Sequence, residues 1–216
     1  DDREVKIDPI INLYFLEVRE PDMHDPSGDF QRLLEALEEQ WNFVNTNNIT
    51  ADLFVHQKIQ RVLRKGEWKI TIALRAGNRI IDIWPGLKQQ IYGAAVDVGS
   101  TTISVHMVDL HSGTTISSSG GMNPQIRFGE DLMSRVSYVM MNPGGEEDLS
   151  KAVQTGIEDL IKQAAKNASI DYTNILEIAF VGNPVMHHLL LGIDPTELGG
   201  APFALSSDSS FECLSS

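Results

Sequence analysis

The residues with the clearest potential for chemistry lie in one short run that ends an apolar strand and begins another. The run contains an aspartate, a glycine two residues later and three successive hydroxyl residues, namely Asp97, Gly99, Ser100, Thr101 and Thr102. This order is typical of a β-hairpin that binds phosphate, because glycine lets the backbone approach the anion and the turn amides and hydroxyls contact it. We expect Asp97 to hold Mg²⁺ through water. The alternative is a tight turn that needs Asp and Gly for its geometry.

A second candidate site follows another predicted strand. Gly182 and Asn183 stand between the apolar strand and a helix that Pro184 opens. Ligands of open α/β sheets bind beyond the carboxyl ends of the strands, so we expect Asn183 to point into the same cleft as Asp97. The alternative role for Asn183 is a helix N-cap, with Pro184 at the first helical position.

Two further residues are candidates for catalysis. Gln125 lies in an Asn-Pro-Gln run, and Asp131 precedes a predicted helix. We expect one of them, with Asp131 favoured, to position the water that attacks a γ-phosphate. For Asp131 the alternative is strong, because acidic residues at helix starts are favoured by capping and by the helix dipole.

The charge of the chain argues against several classes of partner. The 216 residues carry a net charge of −13. Residues 1–91 have 15 acidic and 12 basic side chains, whereas residues 92–216 have 15 acidic and 5 basic ones. A surface of this sign repels nucleic acid and anionic membranes, so we expect neither as a partner.

The single cysteine, Cys213, rules out an internal disulfide and is too few for an iron–sulfur cluster or a structural zinc site in this chain. The sequence opens without a signal peptide, and it has no apolar run long enough to span a membrane. We therefore expect a cytoplasmic protein. The missing initial methionine and the serine-rich end suggest a piece of a longer protein.

The periodicity predicts two modules of different character. Residues 1–91 are predicted to form a small α+β module, with a strand at Ile10–Val18, helices near Phe30–Phe43 and after Thr50, and a hairpin over 68–84. The buried methionines of the chain are predicted to be Met107, Met133, Met140, Met141 and Met186.

Residues 92–216 have the predicted order β-β-β-α-α-β-α. The three strands fall near 93–97, 103–110 and 114–119, and a long amphipathic helix covers 146–167. This order predicts a ribonuclease-H-like half of an actin-like ATPase domain with a mixed sheet. The overall class is therefore α/β, with the second domain truncated.

The motifs together resemble one family. They are Asp97-Val-Gly-Ser-Thr-Thr, Asn123-Pro-Gln, Gly129-Glu-Asp-Leu-Met-Ser-Arg135 and Val181-Gly-Asn-Pro-Val-Met-His-His-Leu-Leu-Leu-Gly192. In this order they resemble the reductive activators of corrinoid proteins, a branch of the superfamily of acetate and sugar kinases, heat-shock chaperones and actin. The likeness is dense over 92–203 and looser before it.

The resemblance implies an ATP-dependent electron donor that returns cob(II)alamin to cob(I)alamin in a corrinoid methyltransferase protein. It implies ATP or ADP with Mg²⁺ as cofactors, and a two-iron two-sulfur cluster in an amino-terminal domain that this chain lacks. The partner is the corrinoid protein, and a homodimer is possible. Because the second half of the ATPase domain is also missing, we expect the isolated chain to be inactive and to bind nucleotide weakly.

Two alternatives stay open at this point. A small-molecule kinase of the same superfamily would share the phosphate-binding hairpin. A non-enzymatic module that docks a protein in a nucleotide-dependent way would share it as well.

Overall fold

The structure is a computed structural model that describes residues 7–44 and 46–213, and it divides into two compact units. The first unit contains residues 1–91 and 110–113, and the second contains 92–109 and 114–216. Each unit is described by itself.

The first unit is a four-stranded mixed sheet covered by two helices. Its elements are β1 (Ile11–Glu17), α1 (Asp29–Trp41), β2 (Thr50–Ala51), α2 (Leu53–Lys65), β3 (Lys69–Arg75) and β4 (Arg79–Pro85). The sheet order is β1-β3-β4-β2, with β2 parallel to β4 and the other pairs antiparallel. Because both helices are amphipathic, their apolar faces and the sheet enclose one core that includes Leu33, Leu63 and Ile72.

The second unit is built on another four-stranded mixed sheet. Its elements are β5 (Tyr92–Val98), β6 (Thr102–Asp109), β7 (Thr115–Met122), α3 (Leu132–Met141), α4 (Gly145–Asn167), β8 (Ile175–Gly182) and α5 (Pro184–Leu191). The sheet order is β7-β6-β5-β8. The pairs β5–β6 and β6–β7 are antiparallel, whereas β8 runs parallel to β5.

The long helix α4 covers this second sheet. Its buried residues, among them Val153, Ile157 and Ala164, share a core with Val96 and Val105 of the strands. The polar strand β7 is tied to α4 by hydroxyl groups. Ser117 Oγ donates to Ala164 O at 2.6 Å and Ser119 Oγ donates to Leu160 O at 2.7 Å, which explains how a serine- and glycine-rich strand packs against an apolar helix.

The α/β class and the β-β-β-α-α-β-α order predicted from the sequence are confirmed. The prediction for the methionines is wrong in part. Met107 and Met186 are fully buried, but three methionines of α3 are exposed, namely Met133, Met140 and Met141. Helix α3 buries Arg135, Val136 and Val139 instead, so its apolar residues are not all on the packed face.

In the part of the chain that the structure describes, no helix combines the length and the apolar composition needed to cross a bilayer.

Candidate functional site

The carboxyl ends of β5 and β8 form one edge of the second sheet. The two strands are parallel neighbours, and their last pairs join Asp97 to Val181 and Val98 to Gly182. The loop of residues 99–101, which connects β5 to β6, and the start of α5 therefore leave the sheet side by side. The predicted site residues at this edge are Asp97, Gly99, Ser100, Thr101, Thr102, Gly182 and Asn183.

The loop of residues 99–101 is open to solvent on one side. The side chains of Asp97, Thr101 and Thr102 are exposed, whereas Gly99 and Ser100 are half-buried. A Cβ atom at Gly99 would lie 2.6 Å from the carbonyl oxygen of Thr102, which is closer than real side chains come. Glycine is therefore required at position 99 by the tight return of the chain into β6.

Asn123 holds the loop from the protein interior. It is fully buried, its Nδ2 donates to the carbonyl of Gly99 at 2.8 Å, and its backbone N–H donates to the carbonyl of Thr101 at 2.8 Å. Its Oδ1 accepts from the Gln125 backbone N–H at 2.9 Å, at the start of a short 3-10 helix over Pro124–Arg127. One asparagine thus fixes two of the three loop carbonyls.

Arg135 of α3 reaches the remaining loop carbonyl. Its side chain is fully buried, Nη2 donates to Ser100 O at 2.5 Å, and Nε donates to Gly129 O at 3.0 Å. Burial lowers the pKa of Arg135, and the negative charge of Asp131 opposes this effect. A Cβ atom at Gly129 would lie 2.7 Å from the Arg135 backbone nitrogen, so glycine lets this segment pass close to α3.

The hydrogen-bonding groups on the other side of the loop are available. Among the described residues, the amides of Gly99, Ser100 and Thr101 donate to no carbonyl, and the hydroxyls of Ser100, Thr101 and Thr102 have no hydrogen-bond partner. Successive unpaired amides of this kind form a concave anion-binding surface. The chemistry of this edge therefore suits a phosphate group.

The two candidate catalytic residues have defined contacts. Gln125 is fully buried, its Nε2 donates to Leu149 O at 2.9 Å, and its Oε1 lies 3.4 Å from Arg135 Nη1. Asp131 is exposed at the N-cap of α3, where Oδ1 accepts from the Ser134 backbone N–H at 2.7 Å. This hydrogen bond from Ser134 lowers the pKa of Asp131. The catalytic assignment of both residues stays a prediction.

Asn183 has the capping role that the sequence left open as an alternative. Its Oδ1 accepts from the Met186 backbone N–H at 2.9 Å, and Pro184 follows at the first helical position. The side chain is nevertheless exposed at the sheet edge. A cavity of about 310 Å³ opens beside Gly182 and is lined on its other sides by residues including Val98 and His187.

A magnesium ion at this edge would have one carboxylate to contact. In the described residues, no three histidine, cysteine, aspartate or glutamate side chains come together as a metal site. A single exposed carboxylate at Asp97 fits Mg²⁺, which keeps several waters and binds through few carboxylates together with substrate phosphates.

Sequence reasoning missed the part that Asn123 and Arg135 play in shaping the loop. Both residues stand in motifs that carried the family resemblance, but neither was given a role. A polar residue at a strand end and an arginine within a helix are usually solvent-exposed, so composition gave no reason to place them in the interior.

Comparison with known proteins identifies the chain. The family model described as RACo linker region matches residues 1–90, and the model described as RACo middle region matches residues 92–215. The chain belongs to the RACo family. The resemblance to the reductive activators of corrinoid proteins is thereby confirmed at the level of the family.

Two relatives of this RACo-family chain carry descriptions that concern corrinoid activation. The corrinoid activation enzyme RamQ of Eubacterium limosum is 37% identical over 130 residues, which are 59% of this chain and 22% of RamQ. A solved structure described as a reductive activator for corrinoid, iron–sulfur protein is 32% identical, with a TM-score of 0.80 over 94% of this chain and 32% of that one. The chain therefore spans about a fifth to a third of the length of these relatives.

Proposed function

We propose that this chain supplies the first phosphate-binding half of the ATPase site in an ATP-dependent reductive activator. The activator returns cob(II)alamin to cob(I)alamin in a corrinoid-binding methyltransferase protein. The observation that carries the proposal is the loop of residues 99–101, whose carbonyls are bound from inside and whose amides are unpaired on the open side. Membership of the RACo family supports the corrinoid partner and favours an activator over a small-molecule kinase.

The roles of the residues follow from their positions at the sheet edge. The amides and hydroxyls of residues 99–102 contact phosphate oxygens, and Asp97 orients the waters around Mg²⁺. Gly182 has no side chain that would fill the space beside the loop. Asn183 caps the first turn of α5, and the amides and dipole of that turn also favour an anion. Bound MgATP supplies the free energy that drives the change in the activator.

The water-positioning step is assigned to Asp131 or Gln125. Asp131 is exposed, so its carboxylate can accept a hydrogen bond from water while one oxygen accepts the Ser134 backbone N–H in the helix cap. Gln125 is buried, and both its amide nitrogen and its amide oxygen already have protein partners, on α4 and on Arg135. Gln125 is therefore better placed to position these two elements than to bind water. Asp131 is therefore the better candidate.

The electron that reduces cob(II)alamin must come from outside this chain. One electron passes to the cobalt, and the reduced two-iron two-sulfur cluster that donates it is oxidised. A single cysteine, Cys213, does not ligate such a cluster, so the cluster belongs to another domain of the parent protein. The transfer is uphill, and the ATP and ADP states must differ in their affinity for the corrinoid partner for hydrolysis to drive it. The proposal also includes that the parent protein forms a homodimer.

The proposal is tested on the full-length reduced parent protein mixed with its cob(II)alamin partner. Adding MgATP should produce the cob(I) absorbance, and Asp97→Asn should lower the initial rate by about 10- to 100-fold because a metal-orienting carboxylate is lost. Asp159→Asn is the matched control, because it removes the same charge from the exposed face of α4. An ATP-independent signal, or equal rates for the two variants, would refute the proposal.

A further inference from the structure

The buried guanidinium of Arg135 lies behind the loop of residues 99–101, and no carboxylate among the described residues forms an ion pair with it. Its hydrogen-bond partners are Ser100 O, Gly129 O, Gln125 Oε1 and the Sδ atom of Met186. Asp131 is the acidic residue whose charge acts on it, and that carboxylate is exposed at the helix start. Burying a charge is costly unless it is paired, so we expect a role for the charge of Arg135 or for its hydrogen bonds.

The three loop carbonyls are all bound from the interior. Arg135 donates to the carbonyl of Ser100. Asn123 donates to the carbonyl of Gly99 through Nδ2 and to that of Thr101 through its backbone N–H. In a trans peptide the N–H points away from the carbonyl of the preceding residue, so the inward carbonyls of Gly99 and Ser100 turn the N–H groups of Ser100 and Thr101 to the opposite side. The loop therefore owes its anion-binding face to Arg135 and Asn123, and not to local turn residues alone.

The charge of Arg135 acts in the same direction as its hydrogen bonds. The second part of the chain has 15 acidic and 5 basic residues, so an anion approaching it is repelled on average. A positive charge directly behind the loop offsets this repulsion where phosphate would lie. Because Arg135 is fully buried, salt screens its field less than the field of a surface arginine.

We propose that Arg135 is the positioning residue of the phosphate site, and that with Asn123 it turns the loop of residues 99–101 so that its amides face the phosphates. The inference rests on the proposed function, since it concerns how the same site binds ATP. Arg135 does not touch the nucleotide. It acts through the carbonyl of Ser100, and its charge favours the triphosphate over the nucleoside.

The test uses the full-length protein and compares a phosphate ligand with one that lacks phosphate. Calorimetry gives Kd for MgATP, for Mg²⁺-tripolyphosphate and for adenosine. Arg135→Lys keeps the positive charge but loses the planar guanidinium that donates to several acceptors at once. The Kd for both phosphate ligands should therefore rise about tenfold, while the Kd for adenosine stays within about twofold. Arg32→Lys is the matched control, because Arg32 is another buried arginine that donates to a backbone carbonyl but lies in the first unit.

A second variant keeps the test decisive if Arg135→Lys does not fold. Asn123→Ser removes the donor to Gly99 O, and it should weaken tripolyphosphate binding several-fold with adenosine unaffected. Unchanged phosphate affinity in both folded variants, or an equal loss for phosphate ligands and adenosine, overturns the inference and leaves the proposed function standing. A wild-type protein that binds neither MgATP nor tripolyphosphate overturns both.

Discussion

Among the described residues two arginines are buried, one in each unit, and their surroundings differ. Arg32 of α1 is 3% exposed and ion-pairs with Asp29, whose side chain is 7% exposed and also contacts Arg64. Arg135 of α3 is fully buried, and its hydrogen bonds go mainly to backbone carbonyls. Both arginines donate hydrogen bonds to backbone carbonyls, since Arg32 also donates to the carbonyl of Ser27.

The difference shows what each arginine does for its unit. The charge of Arg32 is balanced inside the first unit, so the pair stabilises the join between α1 and the loop before it. Within the part of the chain that the structure describes, no carboxylate contacts the charge of Arg135, and one of its hydrogen bonds goes to the loop that would receive an anion. An unbalanced buried charge next to an anion site is a feature of binding sites rather than of ordinary cores.

The largest expected effect comes from removing the hydrogen bonds of Arg135. Arg135→Met leaves the half-buried carbonyls of Ser100 and Gly129 without these donors, which should cost about 2–6 kcal/mol of local stability at about 1–3 kcal/mol for each unpaired group. Native-state hydrogen exchange of β5 and β6 amides measures this loss separately from the first unit. The control is Arg127→Met, which removes an exposed arginine from the same segment. If both variants lose equally little, the hydrogen bonds of Arg135 do not hold the loop.

A smaller effect is expected for Arg32, and a second substitution should reverse part of it. Arg32→Met should cost about 1–3 kcal/mol because Asp29 keeps Arg64 as a partner, and adding Asp29→Asn should recover about half of the loss. Exchange of the β1 and β3 amides gives both values. No recovery in the double variant would show that the ion pair is not what balances Arg32, and the contrast with Arg135 would fail.

The smallest expected effect is the loss of the cap at Asp131, and it depends on pH. The Ser134 backbone N–H holds the pKa of Asp131 below its usual value, so the cap stabilises α3 above the ordinary aspartate pKa. That stability is lost as the pH falls through the lowered pKa of the folded state. Asp131→Asn keeps a cap without titration, whereas Asp131→Ala loses it at every pH. Thermal unfolding between neutral pH and about pH 3 measures the three curves.

The same variants separate the cap from catalysis. If Asp131 positions the attacking water, Asp131→Asn should lower ATP hydrolysis by the full-length protein while its thermal stability near neutral pH stays close to wild type. Hydrolysis that survives in Asp131→Asn but falls in Asp131→Ala in step with stability would reduce Asp131 to a helix cap.

The sequence predicted the elements and the sheet edge well, because these depend on local patterns. Apolar alternation located the strands within about three residues at each end, except for the two-residue strand β2, which it missed. The parallel relation of β5 and β8 follows from the crossover helices between them. Asp97 and Asn183 therefore reached one edge as expected. Their predicted contacts with magnesium and phosphate remain predictions.

The interior support of the loop was not predictable from the same patterns. Ser100 and Arg135 are 35 residues apart, and their contact depends on how α3 packs after the chain turns at Gly129. For the helix Leu-Met-Ser-Arg-Val-Ser-Tyr-Val-Met-Met, the sequence predicts that the methionines face the core, and it predicts no place for the arginine. The fold instead exposes these methionines and buries the arginine, because the loop offers carbonyl acceptors that a methionine would leave unpaired.

The central claim is that the loop of residues 99–101 binds the phosphates of ATP with its amides. Hydrogen exchange of the full-length protein, with and without MgATP, tests it most directly. The account predicts protection of the Gly99, Ser100 and Thr101 amides by MgATP and by Mg²⁺-tripolyphosphate, and none by adenosine. Saturating MgATP that protects amides elsewhere but leaves these three exchanging at the rate of the free protein would contradict it.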